Sequence, residues 1–296
     1  MSAVPGSLRD HRVIHSALGL KRMISVERNP DVFAQQQFNR PLREIHCIQR
    51  DIKAFVDGFT VEIKKAKVSS DSRFIVWLDF EAPDELMSQL QTFQALIDLA
   101  NDGDVIRITL NAHAGSLGSH LQGETDASLQ VRRMEKIKTR FGDFLPEDVS
   151  LESTQNARYP GAVLGALKLA VMRATGGSGR TFLPLLIVQY ADGQPMLTVT
   201  GVVLPDIEVA AFVKNSGVAS WPHYANSWSN VERVATAPHL TLRERMLIDQ
   251  AVLRSSLKLP SKLQYLTKLQ RMAAADLLRL YRRYQRFFPL FQNVDP

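Results

Sequence analysis

The sequence predicts an α/β fold, in which a largely parallel sheet ends in an antiparallel hairpin and is followed by a helical C-terminal extension. Segments typical of helices and strands alternate over residues 5–205, and this alternation places parallel strands between helices. Two long strand-like runs then flank Ala191–Gln194, a connection short enough only for a hairpin. The alternation stops after Pro205, so we expect two domains, residues 1–205 and 206–296.

The first elements are short and carry clear end signals. Apolar residues of DHRVIHSAL recur at helical spacing, and Gly19 ends this helix. The run RMISVE follows as a strand that ends at the acidic Glu27. Asn29 is a typical helix cap and Pro30 a typical first helical residue, so DVFAQQQFN is predicted to be the second helix.

Three further strands and a long helix complete the alternation before the hairpin. The strand EIHCIQ ends near Asp51, and RFIVWLDF ends at Asp79. Because RFIVWLDF is apolar almost throughout, we expect it to be covered on both faces. A helix beginning at Pro83 precedes the strand DVIRITLNA, and a Gly/Ser-rich stretch over residues 113–128 then predicts a loop or lid.

Composition excludes several classes of protein. The single cysteine, Cys47, cannot form an internal disulfide, which favours a reducing compartment. No apolar run approaches the roughly 20 residues that a membrane-spanning helix needs. The N-terminus also lacks the charged and then apolar pattern of a secretory signal. We therefore expect a cytoplasmic protein without a membrane partner.

The positive charge is concentrated near the C-terminus. Residues 240–290 contain 11 Lys and Arg against 3 Asp and Glu, whereas the whole chain carries a net charge of +6. Residues 261–286 are predicted to form one helix on which five basic side chains share a narrow arc: Lys268, Arg271, Arg279, Arg282 and Arg286. Such a stripe can bind the phosphates of nucleic acid or an acidic protein, and it can equally be a solvated face.

The order of the elements resembles the class I S-adenosylmethionine-dependent methyltransferase fold, a Rossmann-like sheet whose last-added strand is antiparallel. Residues 5–40 are similar to an uncharacterised group of bacterial O-methyltransferase-like proteins. The shared features are a glycine turn, an Asp, a His-bearing helix, a Leu-Gly pair and an acidic-ended strand, here Gly6, Asp10, His15, Leu18-Gly19 and Ile24–Glu27.

This resemblance implies positions for the cofactor S-adenosylmethionine and for catalysis. Gly6 would form the turn where a missing Cβ lets backbone approach the methionyl part of the cofactor. Glu27 would accept hydrogen bonds from the ribose hydroxyls. Either Gln49 or Asp51 would lie near the adenine. Asp79 would face the methyl group as the catalytic residue.

The chain departs from the family pattern in two places. Asp79–Pro83 replaces the Asp/Asn-Pro-Pro-aromatic sequence of amino-directed methyltransferases, which leaves oxygen or carboxyl acceptors, or no chemistry. Only Met1–Val4 precede the glycine turn, too few for the ~5–6 residues of the first strand that lies centrally in the family. Three explanations of the missing first strand stay open. The natural protein could be longer than this sequence, a partner chain could supply the strand, or the sheet could have closed up without it.

Two functional hypotheses follow. The first is methyl transfer to an oxygen or carboxylate acceptor, with nucleic acid and protein as candidate acceptors. The second is a noncatalytic interaction subunit, in a bacterial defence or modification assembly, that holds nucleic acid or a partner through the C-terminal helices.

The candidate site residues also have purely structural interpretations. Glu27 could help to cap the following helix, and Asp79 beside Glu81 could either be a general base or stabilise a helix dipole. His11 and His15 lie four residues apart but lack a third ligand, so no metal site is expected.

Overall fold

The structure is a computed structural model that describes residues 6, 8–20, 22–69, 72–233, 240–253, 258–269 and 272–284. The chain divides into two compact units, Met1–Arg233 and Val234–Pro296. The division lies beyond the boundary expected at residue 205, because the short strand Glu232–Arg233 pairs with a strand of the first unit. No helix in these described ranges is both long and apolar enough to cross a membrane.

The described part of the first unit alternates strands with helices, which confirms the predicted fold class. The strands are β1 (Met23–Glu27), β2 (Ile45–Gln49), β3 (Ile75–Asp79), β4 (Val105–Asn111), β5 (Arg180–Asp192), β6 (Gln194–Pro205) and β7 (Glu232–Arg233). The α-helices are α1 (Arg9–Leu18), α2 (Pro30–Asn39), α3 (Ile52–Asp57), α4 (Phe59–Lys65), α5 (Leu86–Leu99), α6 (Asp126–Phe141), α7 (Tyr159–Thr175) and α8 (Val209–Ser216). Asn29 caps α2 as predicted, since its side chain accepts the N–H groups of Asp31 and Val32 at 2.9 and 3.2 Å.

The strands form two separate sheets. In one, β1 and β2 pair in parallel, with Glu27 opposite Gln49. In the other, the strand order is β3-β4-β6-β5-β7. Within the described residues β1 pairs only with β2 and β3 only with β4, so the sheet has not closed up between them. The interruption lies where the resemblance expects the first strand.

The hairpin that carried the sequence prediction is present. β5 and β6 pair antiparallel from Arg180 opposite Pro205 to Asp192 opposite Gln194. Gly193 forms the turn with a φ of 73°, a conformation that glycine adopts without strain. Because β6 is antiparallel to both β4 and β5, its first residues lie at the carboxyl end of β4.

The main core lies on one face of the five-stranded sheet. Ile106 and Ile108 of β4 are fully buried there, in one cluster with Phe93 of α5 and Val163 of α7. On the opposite face, Ile75 and Trp77 of β3 are 59% and 37% exposed. The expectation that β3 is covered on both faces is therefore wrong. β3 is an edge strand in the described structure, so its second face lacks the cover that a central strand receives.

The second unit is helical in its described residues. Its α-helices are α9 (Leu242–Leu253), α10 (Tyr265–Leu269) and α11 (Ala274–Tyr284). Ile248 of α9, Leu266 of α10 and Leu277 of α11 belong to one buried cluster. The single helix expected over residues 261–286 is wrong, because α10 ends at Leu269, Met272 and Ala273 are not helical, and α11 begins only at Ala274. The break lets both short helices bury leucines in the same cluster.

Candidate functional site

The carboxyl ends of β1 and β3 open onto the same region of the molecule. Glu27 is the last residue of β1 and Asp79 the last of β3. The residue after β1, Arg28, forms an ion pair of 3.5 Å with Glu85, which lies in the turn after β3. The strand ends that the resemblance selected are thus tied together across the interruption.

Two of the expected cofactor positions have local structural roles. Gly6 has a φ of 80°, where other residues are strained, and a Cβ there would lie 2.6 Å from the side-chain oxygen of Gln35 on α2. The Glu27 Oε1 atom accepts the Asn29 N–H at 2.7 Å and helps to begin α2. A carboxylate has two acceptor oxygens, so this bond leaves Glu27 with further acceptor capacity.

The two residues proposed to lie near the adenine, Gln49 and Asp51, differ in their contacts within the protein. Asp51 caps α3, because its Oδ1 atom accepts the N–H groups of Lys53 and Ala54 at 2.9 and 3.3 Å. Gln49, at the end of β2, is exposed. The carboxylate of Asp51 therefore stabilises a helix terminus, while the amide of Gln49 faces solvent.

Asp79 lies in an unusual electrostatic environment. Burial among surrounding protein atoms raises the pKa of its carboxyl, although the side chain keeps contact with solvent. The neighbouring carboxylates of Glu81 and Asp10 raise this pKa further, and Arg107 opposes them. A carboxylate with a raised pKa is a stronger base, which is what removal of a proton from an acceptor hydroxyl requires.

A polar layer lies beneath Asp79 on the same face of the sheet. The Arg107 guanidinium stacks 4.5 Å from the centre of the Trp77 ring. The Trp77 indole donates to the Thr109 hydroxyl at 3.1 Å, and the hydroxyls of Thr109 and Thr198 are 3.0 Å apart. Sequence reasoning missed these residues, although Arg107 and Thr109 alternate with apolar residues along DVIRITLNA, a signal for a polar face.

Asn111 connects three segments at the carboxyl end of β4. It is 5% exposed, and its side-chain amide donates to the Gln194 side-chain oxygen at 2.9 Å and to the Glu81 carbonyl at 3.5 Å. Its carbonyl oxygen accepts the His113 N–H at 3.0 Å. The hairpin tip and the segments after β3 and β4 are therefore joined by one buried side chain that the sequence did not single out.

The segment after β4 is packed against the protein. Ala114 and Leu117 are buried in a short 3₁₀ turn. Arg133 of α6 donates to the Gly118 carbonyl at 2.7 and 2.9 Å. His120 contacts Asp126 at 3.1 Å. These contacts fix the Gly/Ser-rich segment, which the sequence predicted as a loop or lid.

Among the described residues, no three or more His, Cys, Asp or Glu side chains are grouped so that they could hold a metal ion. His11 and His15 of α1 instead contact the backbone carbonyls of Ile24 and Leu20 at 3.3 and 2.7 Å.

The five basic residues of the C-terminal stripe are not brought together on one helix. Lys268 is exposed on α10, and Arg279 and Arg282 are exposed on α11 beyond the break. Arg279 pairs with Asp276 at 3.0 Å. Arg271 and Arg286 lie outside the described residues. The role of the five basic residues in binding nucleic acid stays a prediction.

Comparison with known proteins gives a family and distant structural neighbours. Residues 6–296 match the model of a family described as "Putative O-methyltransferase". No curated protein matches the chain. The N-methyltransferase NodS from Bradyrhizobium japonicum WM9 aligns with a TM-score of 0.34 and 12% identity over 68% of this chain and 82% of NodS. The plantazolicin methyltransferase BamL, solved with a desmethylPZN analog and SAH, aligns with a TM-score of 0.32 and 13% identity over 68% of this chain and 74% of BamL.

The family match spans nearly the whole chain, whereas the structural likenesses are remote. The order of strands, with parallel β3 and β4 followed by an antiparallel hairpin, agrees with the topology that the resemblance implied. The chain belongs to the family described as "Putative O-methyltransferase".

Proposed function

We propose that the protein transfers a methyl group from S-adenosylmethionine to an oxygen acceptor at the carboxyl edge of its sheets. The observation that carries this proposal is Asp79, a carboxylate with a raised pKa at the same edge as Glu27. Asp79 would accept the acceptor's proton while the new C–O bond forms and the cofactor's C–S bond breaks. The cofactor supplies an electrophilic methyl group when it is bound.

The residues at the edge fit this cofactor in their chemistry. Glu27 offers acceptor oxygens for the two ribose hydroxyls, as acidic residues at strand ends do in other nucleotide-binding sheets. Gln49 is the better candidate for the adenine, because Asp51 is engaged in capping α3. The carboxylates near the strand ends also favour the positive sulfonium of the cofactor.

The same charges favour a neutral hydroxyl over a phosphate-bearing acceptor. The segment after β3 carries Glu81, Asp84 and Glu85 in addition to Asp79. Arg140 and Arg28 pair with Asp84 and Glu85, but Glu81 still raises the pKa of Asp79. An edge of this charge repels the backbone of nucleic acid.

Calorimetry with S-adenosylmethionine and with its demethylated product tests the proposal. We expect micromolar binding that Glu27→Ala abolishes and Gln49→Ala weakens. Asp51→Ala is the matched control: it removes a carboxylate of the same edge but should affect only the stability of α3, by about 1 kcal/mol. Asp79→Asn should bind the cofactor normally and lose transfer. Native protein that fails to bind at millimolar cofactor contradicts the proposal.

A noncatalytic interaction subunit is the second candidate, and exposed basic side chains of the second unit favour it. Lys268, Arg279 and Arg282 are all exposed. Absence of cofactor binding together with salt-dependent binding of nucleic acid would support this candidate over the enzyme.

A further inference from the structure

A buried arginine lies between the segments that follow β3 and β4. Arg140, in the last turn of α6, is only 4% exposed. Its Nε and Nη2 atoms donate to Asp84 Oδ1 at 2.9 and 2.6 Å. Its Nη1 and Nη2 atoms donate to the hydroxyl and carbonyl oxygens of Ser116 at 2.9 and 2.7 Å. One guanidinium thus joins the two segments.

The first of these segments is fixed along its length. The Phe80 N–H bonds to the Thr109 carbonyl at 3.0 Å. The Ala82 carbonyl accepts a bond from the buried Gln89 at 2.7 Å, and the Glu81 carbonyl makes only a long, weak contact of 3.5 Å with Asn111. The bond from Arg140 to Asp84 completes the set. The chain directly after Asp79 therefore has little freedom to move.

Burial of a guanidinium is costly unless its donors are satisfied. An aliphatic side chain would fill the same space without this cost. The polar partners of Arg140 belong to the two segments at the proposed site, apart from the buried Tyr159 hydroxyl, with which it also interacts. The contacts of Arg140 thus point to a role in the geometry of this edge.

Arg140 also changes the charge of the edge. Its hydrogen bonds lower the pKa of Asp84, so that Asp84 stays ionised but paired. Lys136 also contacts Asp84, at 3.6 Å, so without the guanidinium Asp84 would keep only this weaker partner. Loss of the guanidinium would therefore raise the pKa of Asp84, because the contact that lowers it most is gone.

We propose that Arg140 is a positioning residue, which holds the Asp79–Glu85 segment against the Ala114–Leu117 turn and neutralises Asp84. This inference rests on the proposed function for its catalytic meaning. Misplacement of a catalytic group by about 1 Å can reduce a rate by roughly 100-fold, so rigidity here has a direct consequence for transfer.

Hydrogen exchange and NMR titration test the proposal without requiring turnover. Arg140→Met should accelerate amide exchange in residues 80–85 and 114–118 at least tenfold, and raise the pKa of Asp84 measured from its carboxyl ¹³C signal. Arg140→Lys restores the charge but not the forked geometry, so it should return the pKa of Asp84 towards the native value while exchange stays fast. This second variant also serves if Arg140→Met does not fold.

Arg132 provides the matched control on the same helix. It pairs with Glu124 at 2.8 Å and donates to the Ser119 carbonyl at 2.7 Å. Arg132→Met should therefore accelerate exchange only near residues 119–124. Native exchange over residues 80–85 in both Arg140 variants overturns the proposal, as does an equal effect of Arg132→Met there. Calorimetry on the native protein reports separately on cofactor binding, so the two proposals can fail independently.

Discussion

Asn111 permits a quantitative test of the edge architecture. In Asn111→Leu the side chain keeps its branching at Cγ but becomes bulkier and loses every hydrogen bond, and the apolar replacement does not admit water to replace them. The two well-formed bonds, to Gln194 at 2.9 Å and from His113 at 3.0 Å, contribute roughly 0.5–1.5 kcal/mol each. The third, to Glu81 at 3.5 Å, is too long to contribute much.

The partners left behind add to the cost. An unsatisfied buried donor costs about 1–3 kcal/mol, and the His113 N–H is the group exposed to this penalty. The lost Gln194 bond and the His113 N–H left without an acceptor should together lower the free energy of unfolding by about 1.5–4.5 kcal/mol in Asn111→Leu. For a unit of this size, each kcal/mol corresponds to a fall in Tm of about 2–4 °C.

Urea unfolding followed by tryptophan fluorescence measures this loss in the first unit, because all three tryptophans, Trp77, Trp221 and Trp228, belong to it. Asn215→Leu is the matched control: the same substitution on the exposed surface of α8 should change stability by no more than about 0.5 kcal/mol. Equal midpoints for the two variants would refute the reasoning, since Asn111 would then contribute no more than a surface amide.

Two further predictions concern charge. The bonds from Arg132 lower the pKa of Glu124 to about 2, so this ion pair should stabilise the protein fully above the unfolded pKa of 4.5, and its stabilisation should disappear as the pH falls towards 2. Glu124→Gln should remove that part of the pH dependence of Tm, and an unchanged profile between pH 2 and 4.5 would contradict the assignment. Replacing Arg279 and Arg282 together by Ala should weaken binding to nucleic acid and flatten its salt dependence by about one unit of slope for each phosphate that the two arginines neutralise. Equal affinity across a salt series would exclude these two residues as the binding surface.

Strands β1 to β6 and the hairpin could be predicted because their signals are local, whereas the two-residue β7 has no such signal. The strands β1 to β4 are short and largely apolar runs, and the Asp192-Gly193 turn fixes the pairing of the longer β5 with β6. The helix break in the second unit could not be predicted in the same way. The residues around Ala273 are strong helix formers, and the burial of Leu266 and Leu277 in one cluster overrides their propensity.

The buried polar contacts of the site could not be predicted, because their partners are distant in the chain. Thr109 and Thr198 are 89 residues apart, and Arg140 and Asp84 are 56 apart. On α6, Arg140 has the same character as its exposed basic neighbours such as Lys138, and only the tertiary structure distinguishes them. The acids at strand ends, by contrast, were found because the topology fixes where such residues lie.

The interruption between β1 and β3 connects the fold to the proposed chemistry. Edge strands and the helices beside them normally avoid large apolar surfaces, yet Ile75 of β3 is 59% exposed, and Val13 and Leu18 of α1 are 57% and 62% exposed. Gly6 and Glu27 lie on the flank formed by α1 and β1, and Asp79 lies on the flank formed by β3. A strand between the flanks would bury apolar surface and fix the distance between Glu27 and Asp79 at once. Completion of the sheet, which stays a prediction, would therefore stabilise the fold and order the site through the same contacts.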